Sequence, residues 1–197
     1  MAQRWPMWLG LAAGLAALAA GFALGNGLQD QWQHAARYTA RVGFPLLIVA
    51  YIARPLHQLS PSGFSKGALA RRKWIGLGFA ISHTIHLGAL IIALRLSGEV
   101  REPITIIGGG LAYVLLYAMA LTSTAAAQRA LGKWWKRLHR VGIHYLWLIF
   151  AQSYLGRVFQ PETRVIGVLF GSIALTAAGV PLAAWLKLRT GRRAVPA

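Results

Sequence analysis

Six stretches of this chain, near residues 7–25, 43–59, 74–96, 104–123, 138–155 and 165–186, are apolar over close to the length a helix needs to cross a bilayer, about 20 residues. In lipid every backbone N–H and C=O must be satisfied within the protein, so runs of this kind fold as helices. Composition agrees: 56% of the 197 residues are hydrophobic and 13% are charged, roughly half the charge of a soluble domain. The connections are short, and there is no internal repeat or low-complexity linker. The chain reads as one all-α integral membrane domain over residues 1–197, a six-transmembrane-helix bundle.

The charges orient it. One set of connections and ends holds Arg4, Arg54, Lys66, Arg71, Arg72, Lys73, Arg129, Lys133, Lys136, Arg137, Arg140, Lys187, Arg189, Arg192 and Arg193. The opposite connections hold Arg37, Arg41, Arg95, Arg101, Arg157 and Arg164, together with every acidic residue: Asp30, Glu99, Glu102 and Glu162. The positive-inside rule makes the first side, and with it both termini, cytoplasmic. A net charge of +17 is therefore explained by topology and attraction to anionic membrane lipid, and nucleic acid is not an expected partner. The first segment follows Arg4 as a signal peptide would, but it is long for one and lacks a small-residue cleavage site, so an uncleaved helix is expected. Trp134 and Trp135 read as interface anchors. The expected location is a bacterial inner membrane, crossed several times.

Four histidines lie inside or at the mouth of two of these segments: His83 and His86 in the third, His139 and His144 in the fifth. An ionisable side chain at membrane depth marks a functional site by default. Two parallel helices that each offer imidazole inward suit a b-type haem, whose iron takes axial ligands from both faces. His83 and His86 share a helix face and lie ~16 and ~21 Å beyond Arg72. His139 sits at the cytoplasmic mouth, with His144 about two turns in and ~140° around the helix. His34 and His57 read as interfacial, with His57 within reach of a haem propionate. Arg71, Arg72, Arg137 and Arg140 are placed to hold propionates or to dock an acidic reductase.

Other chemistries find little support. No cysteine is present, which removes disulfides, Fe–S clusters and thiolate sites. All four carboxylates lie in outer connections, leaving none for acid–base work inside the bundle. Ser82 and His83 point about 100° apart on a helix, and a zinc site would need three converging imidazoles. Gly76, Gly78, Gly88 and Gly108–Gly110 suit close helix packing or a flat macrocycle. The glycine run lacks the setting of a phosphate loop.

The stretch from Leu121-Thr-Ser-Thr through Gln128-Arg, Leu131-Gly-Lys and Leu138-His139-Arg140 resembles the signature of the ferric reductase-like transmembrane family. Its strongest likeness is to the haem-binding subunits of the bacterial periplasmic methionine sulfoxide reductase system. Arg71-Arg72-Lys73-Trp74-Ile75-Gly76 through Thr84-Ile85-His86-Leu87 resembles that family's third helix, and the likeness covers roughly residues 40–160. It implies a six-helix bundle with haem b between the third and fifth helices. It also implies electron passage from a cytoplasmic flavin reductase or quinol to an acceptor outside, a periplasmic redox partner among them.

By the family pattern His86 and His139 are ligands, while the second histidine of the fifth helix would fall at Gln152. This chain offers His83 and His144 instead. Measured from Arg72 and Arg137 they differ by ~6 Å in depth, so His83 with His144 is the first-choice axial pair for haem iron. His86 and His139 are the alternative, or serve a second haem. No flavin or nicotinamide domain is present, so this would be an oxidoreductase subunit that receives electrons from a partner. Two other readings stay open: a non-catalytic haem sensor, carrier or assembly subunit, and a haem-free transporter whose histidines relay protons.

Overall fold

The computed structural model describes residues 3–193, with side chains to residue 190. The described residues form seven α-helices and one short 3-10 turn, with no strand. They are α1 (Trp5–Leu24), α2 (Leu28–Leu59), α3 (Gly63–Ser97), α4 (Pro103–Leu121), α5 (Ala125–Leu131), α6 (Lys133–Arg157) and α7 (Arg164–Arg193). The side chains of Arg192 and Arg193, counted above among the cytoplasmic charges, lie outside the described residues.

Local chemistry sets the boundaries. Pro6 and Pro103 stand in the first turns of α1 and α4, where a missing N–H costs nothing. Ser62 and Ser65 close α3 with a reciprocal capping box. Gly98 ends α3 in the left-handed region (φ 63°), and Gly132 at φ 48° breaks the chain between α5 and α6.

α1, α2 and α3 pack as a tight triplet, with the glycines of α1 at the contacts. A Cβ on Gly10 would run into the backbone of Gly78 in α3, and one on Gly21 into the backbone of Ala35 in α2. α6 packs between α4 and α7, and α7 returns to α2. A core of Phe44, Leu47 and Tyr51 (α2), Phe79 (α3), Leu116 and Met119 (α4), and Leu146, Phe150 and Tyr154 (α6) joins the two parts.

Five helices are long and apolar enough to cross a membrane: α1, α2, α3, α4 and α7. The chain is thus an all-α, multi-pass membrane protein. α6, where the fifth span was expected, is 25 residues long but falls short in hydropathy, because Lys133, Lys136, Arg137, His139, Arg140 and His144 crowd its first half. α2 and α3 begin 15 and 11 residues before their apolar runs, as their polar first turns are helical too.

Candidate functional site

α3 and α6 run parallel. The charge of Arg72 on α3 bears on His139 of α6. Farther along, Phe79 and His83 meet Phe150, with ring centroids 6.0 and 5.2 Å apart. At the far end the charge of Arg157 reaches His86. The two helices share almost no close backbone contact, so side chains span the space between them.

His83 is 8% exposed in an aromatic box. Phe79 stacks on one side at 4.9 Å and Tyr113 of α4 at 5.5 Å, with Phe150 completing the enclosure. Its Nδ1 is buried with no hydrogen-bond partner and points at Gly43 of α2, where a Cβ would stand 3.2 Å away. His86, ring to ring 4.7 Å from His83, is held differently. Thr39 Oγ1 donates to Ala35 O at 2.7 Å, so its oxygen is left to accept from His86 Nδ1 at 3.2 Å. That fixes the proton on Nδ1 and leaves Nε2 with its lone pair free.

The two histidines of α6 are held through Nδ1 by carbonyls one turn back. His139 Nδ1 donates to Trp135 O at 3.1 Å while its ring stacks on Trp135 at 4.0 Å. Its Nε2 keeps a 3.5 Å contact to Ser123 Oγ, whose own hydrogen goes to Met119 O. His144 Nδ1 donates to Arg140 O at 2.7 Å, and its ring stands edge-on to Tyr51 at 5.3 Å. In His86 and His144 a hydroxyl or carbonyl holds Nδ1–H and orients Nε2, as the outer-shell partners of metal-binding histidines do, whereas both ring nitrogens of His139 are in contact with oxygen.

His83 and His86 are brought together, while His83 and His144 are not. His144 precedes Phe150, the neighbour of His83, by six residues, about 9 Å of helix. Arg72 comes opposite His139 instead of Arg137, which adds two residues to the expected offset. His139 lies at the Arg72 end, about 21 Å of helix from the level of His86. The basic residues at that end are engaged elsewhere: Arg72 Nε donates to Ala50 O at 2.8 Å, Arg137 covers Trp134 at 4.8 Å, and Arg140 is exposed. His57 Nδ1 lies 3.1 Å from Ser65 Oγ, and His34 Nδ1 3.1 Å from Asp30 Oδ1.

Sequence reasoning missed Thr39, Tyr113 and Phe150. Thr39 precedes the apolar run from which the second helix was read, and the two aromatics look like packing until the fold brings them to His83.

Residues 39–151 match the family described as ferric reductase like transmembrane component, which covers α2 through most of α6. The chain belongs to this family. It is also 29% identical, over 154 residues and 70% of each chain, to a protein of Salmonella paratyphi B named protein-methionine-sulfoxide reductase heme-binding subunit MsrQ. The same figures hold for the MsrQ proteins of Salmonella newport and Salmonella heidelberg. No solved structure matches the chain.

The donor set fits the haem those names specify. Two imidazoles, His86 and His144, present an unprotonated Nε2, and His83 carries a buried nitrogen that nothing in the protein satisfies. Imidazole is the usual axial donor for a b-type haem.

Proposed function

We propose that this protein is a membrane b-type haem protein that carries electrons, with its haem held between α3 and α6. The observation that carries the reading is the common tautomer of His86 and His144, each with Nδ1–H engaged and Nε2 free, in a family whose relatives include haem-binding subunits. Bound haem supplies a one-electron ferric–ferrous couple. The chain's part is to ligate the iron, to exclude water with Phe79, Tyr113 and Phe150, and to tune the iron through the hydrogen bonds behind each imidazole.

His83 with His144 remains the first-choice axial pair, since its depth offset of about 9 Å is the smallest between an α3 and an α6 histidine. To share one iron they require α6 to advance along α3 by about that distance. His86 and His139 are the alternative ligands or the basis of a second haem.

In this reading α6 is a sixth span, both termini are cytoplasmic, and the membrane is a bacterial inner membrane. Electrons arrive from a cytoplasmic flavin reductase or from quinol and leave for an acceptor at or across the membrane, with a periplasmic methionine sulfoxide reductase the acceptor that the relatives' names suggest. Arg72, Arg137 and Arg140 form a basic rim beside His139 suited to docking an acidic donor.

The test is the absorption spectrum of the detergent-purified protein, oxidised and dithionite-reduced, with its haem-to-protein ratio. A sharp low-spin b-type spectrum at one haem per chain that is lost in His83→Ala and His144→Ala supports the first pair. Loss in His86→Ala with retention in His83→Ala reassigns the α3 ligand, and a ratio near two brings in His86 and His139 together. Haem that dithionite reduces but neither a flavin reductase nor quinol does would make the protein a haem carrier or sensor. A folded, colourless protein after haem is supplied refutes the haem reading.

A further inference from the structure

Away from the histidines, one face of α2 changes character along its length. Arg37 and Arg41 stand near its start, and Ile48 and Ile52 follow within about 60° of the same side. The two isoleucines form one wall of an open apolar groove of ≈ 470 Å³ against α7, whose Val168, Ile173, Thr176 and Val180 form the other. At the arginine end, Tyr154 of α6 is 1% exposed; it stacks on Phe170 of α7 at 4.8 Å and meets Phe44 of α2 edge-on at 5.0 Å. Its hydroxyl is buried with no hydrogen-bond partner.

Arg157 lies over the Tyr154 ring at 5.5 Å, and the charges of both Arg157 and Arg41 bear on Tyr154. Arg37, Arg41 and Arg101 bear in turn on Arg157. Glu99 pairs with Arg101 at 2.9 Å and Asp30 with His34, so among the described residues no carboxylate pairs with Arg37, Arg41 or Arg157. The charge of Arg37 also bears on Asp30, but three arginines against that one carboxylate leave positive charge in excess on the side of α2 that leads into the groove.

We propose that this face is a binding site for an anionic phospholipid, its phosphate held by Arg37, Arg41 and Arg157 and one acyl chain lying between α2 and α7. The dimensions suit one leaflet: from Arg41 to Ile52 is about 16 Å of helix, half of the ~30 Å hydrocarbon thickness. The site shares no histidine with the proposed haem site and does not depend on it.

The experiment is native mass spectrometry of the full-length protein, released from detergent containing equal amounts of phosphatidylglycerol and phosphatidylcholine. The wild type should retain phosphatidylglycerol in preference. At about fivefold per arginine, Arg41→Gln with Arg157→Gln should weaken that retention roughly 30-fold. Arg72→Gln with Arg137→Gln, at the opposite end, should leave it unchanged. Ile173→Trp, which fills the groove and alters no charge, should reduce retention of both lipids, and it tests the site even if the arginine variant fails to fold. Three results overturn the proposal: unchanged phosphatidylglycerol retention in the arginine variant, equal competition by glycerol phosphate lacking acyl chains, or displacement of the lipid by a neutral quinone.

Discussion

Thr39 is the residue on which the state of His86 turns. With its hydrogen committed to Ala35 O at 2.7 Å, the hydroxyl can only accept from His86 Nδ1, and it does so fully buried. Thr39→Val keeps the shape and removes the acceptor, leaving a ring N–H unpaired at a cost of about 1 kcal/mol. Thr39→Ser retains the bond but empties a buried methyl, which itself costs about 0.8 kcal/mol. Thermal unfolding in detergent reads both, and a Thr39→Val variant as stable as the wild type would show that the bond contributes nothing. His83 shows how far residue-level reading reached. Its position inside an apolar run marked it for chemistry, and it is the most buried of the four candidate histidines. Its orphaned Nδ1 was not legible, because the partner-free environment comes from Gly43, Phe79, Tyr113 and Phe150, drawn from four helices.

Helices tell a different story from residues. Apolar runs located all six long helices, but they missed the starts of α2 and α3. A run of ~20 apolar residues registers lipid contact, whereas the first half of α2 is held by protein: Ala35 and Ala36 are buried against Ala89 and Ala93 of α3. The glycines of α1 were not among those singled out in the sequence, yet they set how closely the triplet packs. Gly10→Val drives its side chain into the Gly78 backbone and should cost about 1–3 kcal/mol by overpacking. Gly76→Ala, with open space around it, should be neutral or gain up to ~1 kcal/mol. Unfolding midpoints of the two variants separate a glycine required by contact from one that is not. The α3–α6 pair offers a further test, helped by the absence of native cysteine. Phe79→Cys with Phe150→Cys replaces rings whose centroids are 6.0 Å apart. A short bifunctional maleimide should cross-link the pair readily in haem-free protein and several-fold less after haem loading, if haem separates these helices. Equal cross-linking in both states would place haem elsewhere.

At the scale of the whole molecule, the question is whether α6 crosses the membrane. Hydropathy says no, since its first half carries more charge than a lipid-facing helix tolerates. Packing is compatible with the proposed crossing. α6 accompanies α3 from the level of Arg72 to that of His86, a stretch of about 21 Å, and α3 is apolar enough to span. Some of its polar groups find partners on other elements along the way: His139 Nε2 lies 3.5 Å from Ser123 Oγ, Tyr145 donates to Gly108 O and Trp147 Nε1 donates to Ala174 O. Polar residues at membrane depth are tolerated when they face the bundle in this way. Six crossings put both ends of the chain on one side, and five would put them on opposite sides. In the proposed topology the basic connections at the Arg72 end, from Arg54 through Lys73 and from Arg129 through Arg140, lie on the cytoplasmic side, as the positive-inside rule expects. Fusion of green fluorescent protein to either terminus should therefore fluoresce, and fusion of alkaline phosphatase to either should be inactive. Phosphatase inserted in the α3–α4 connection near Gly98 should be active. An active C-terminal phosphatase with a fluorescent N-terminal fusion would mean that α6 lies in the interface, which would take His139 and His144 out of the membrane and remove the α6 ligands from any haem between α3 and α6.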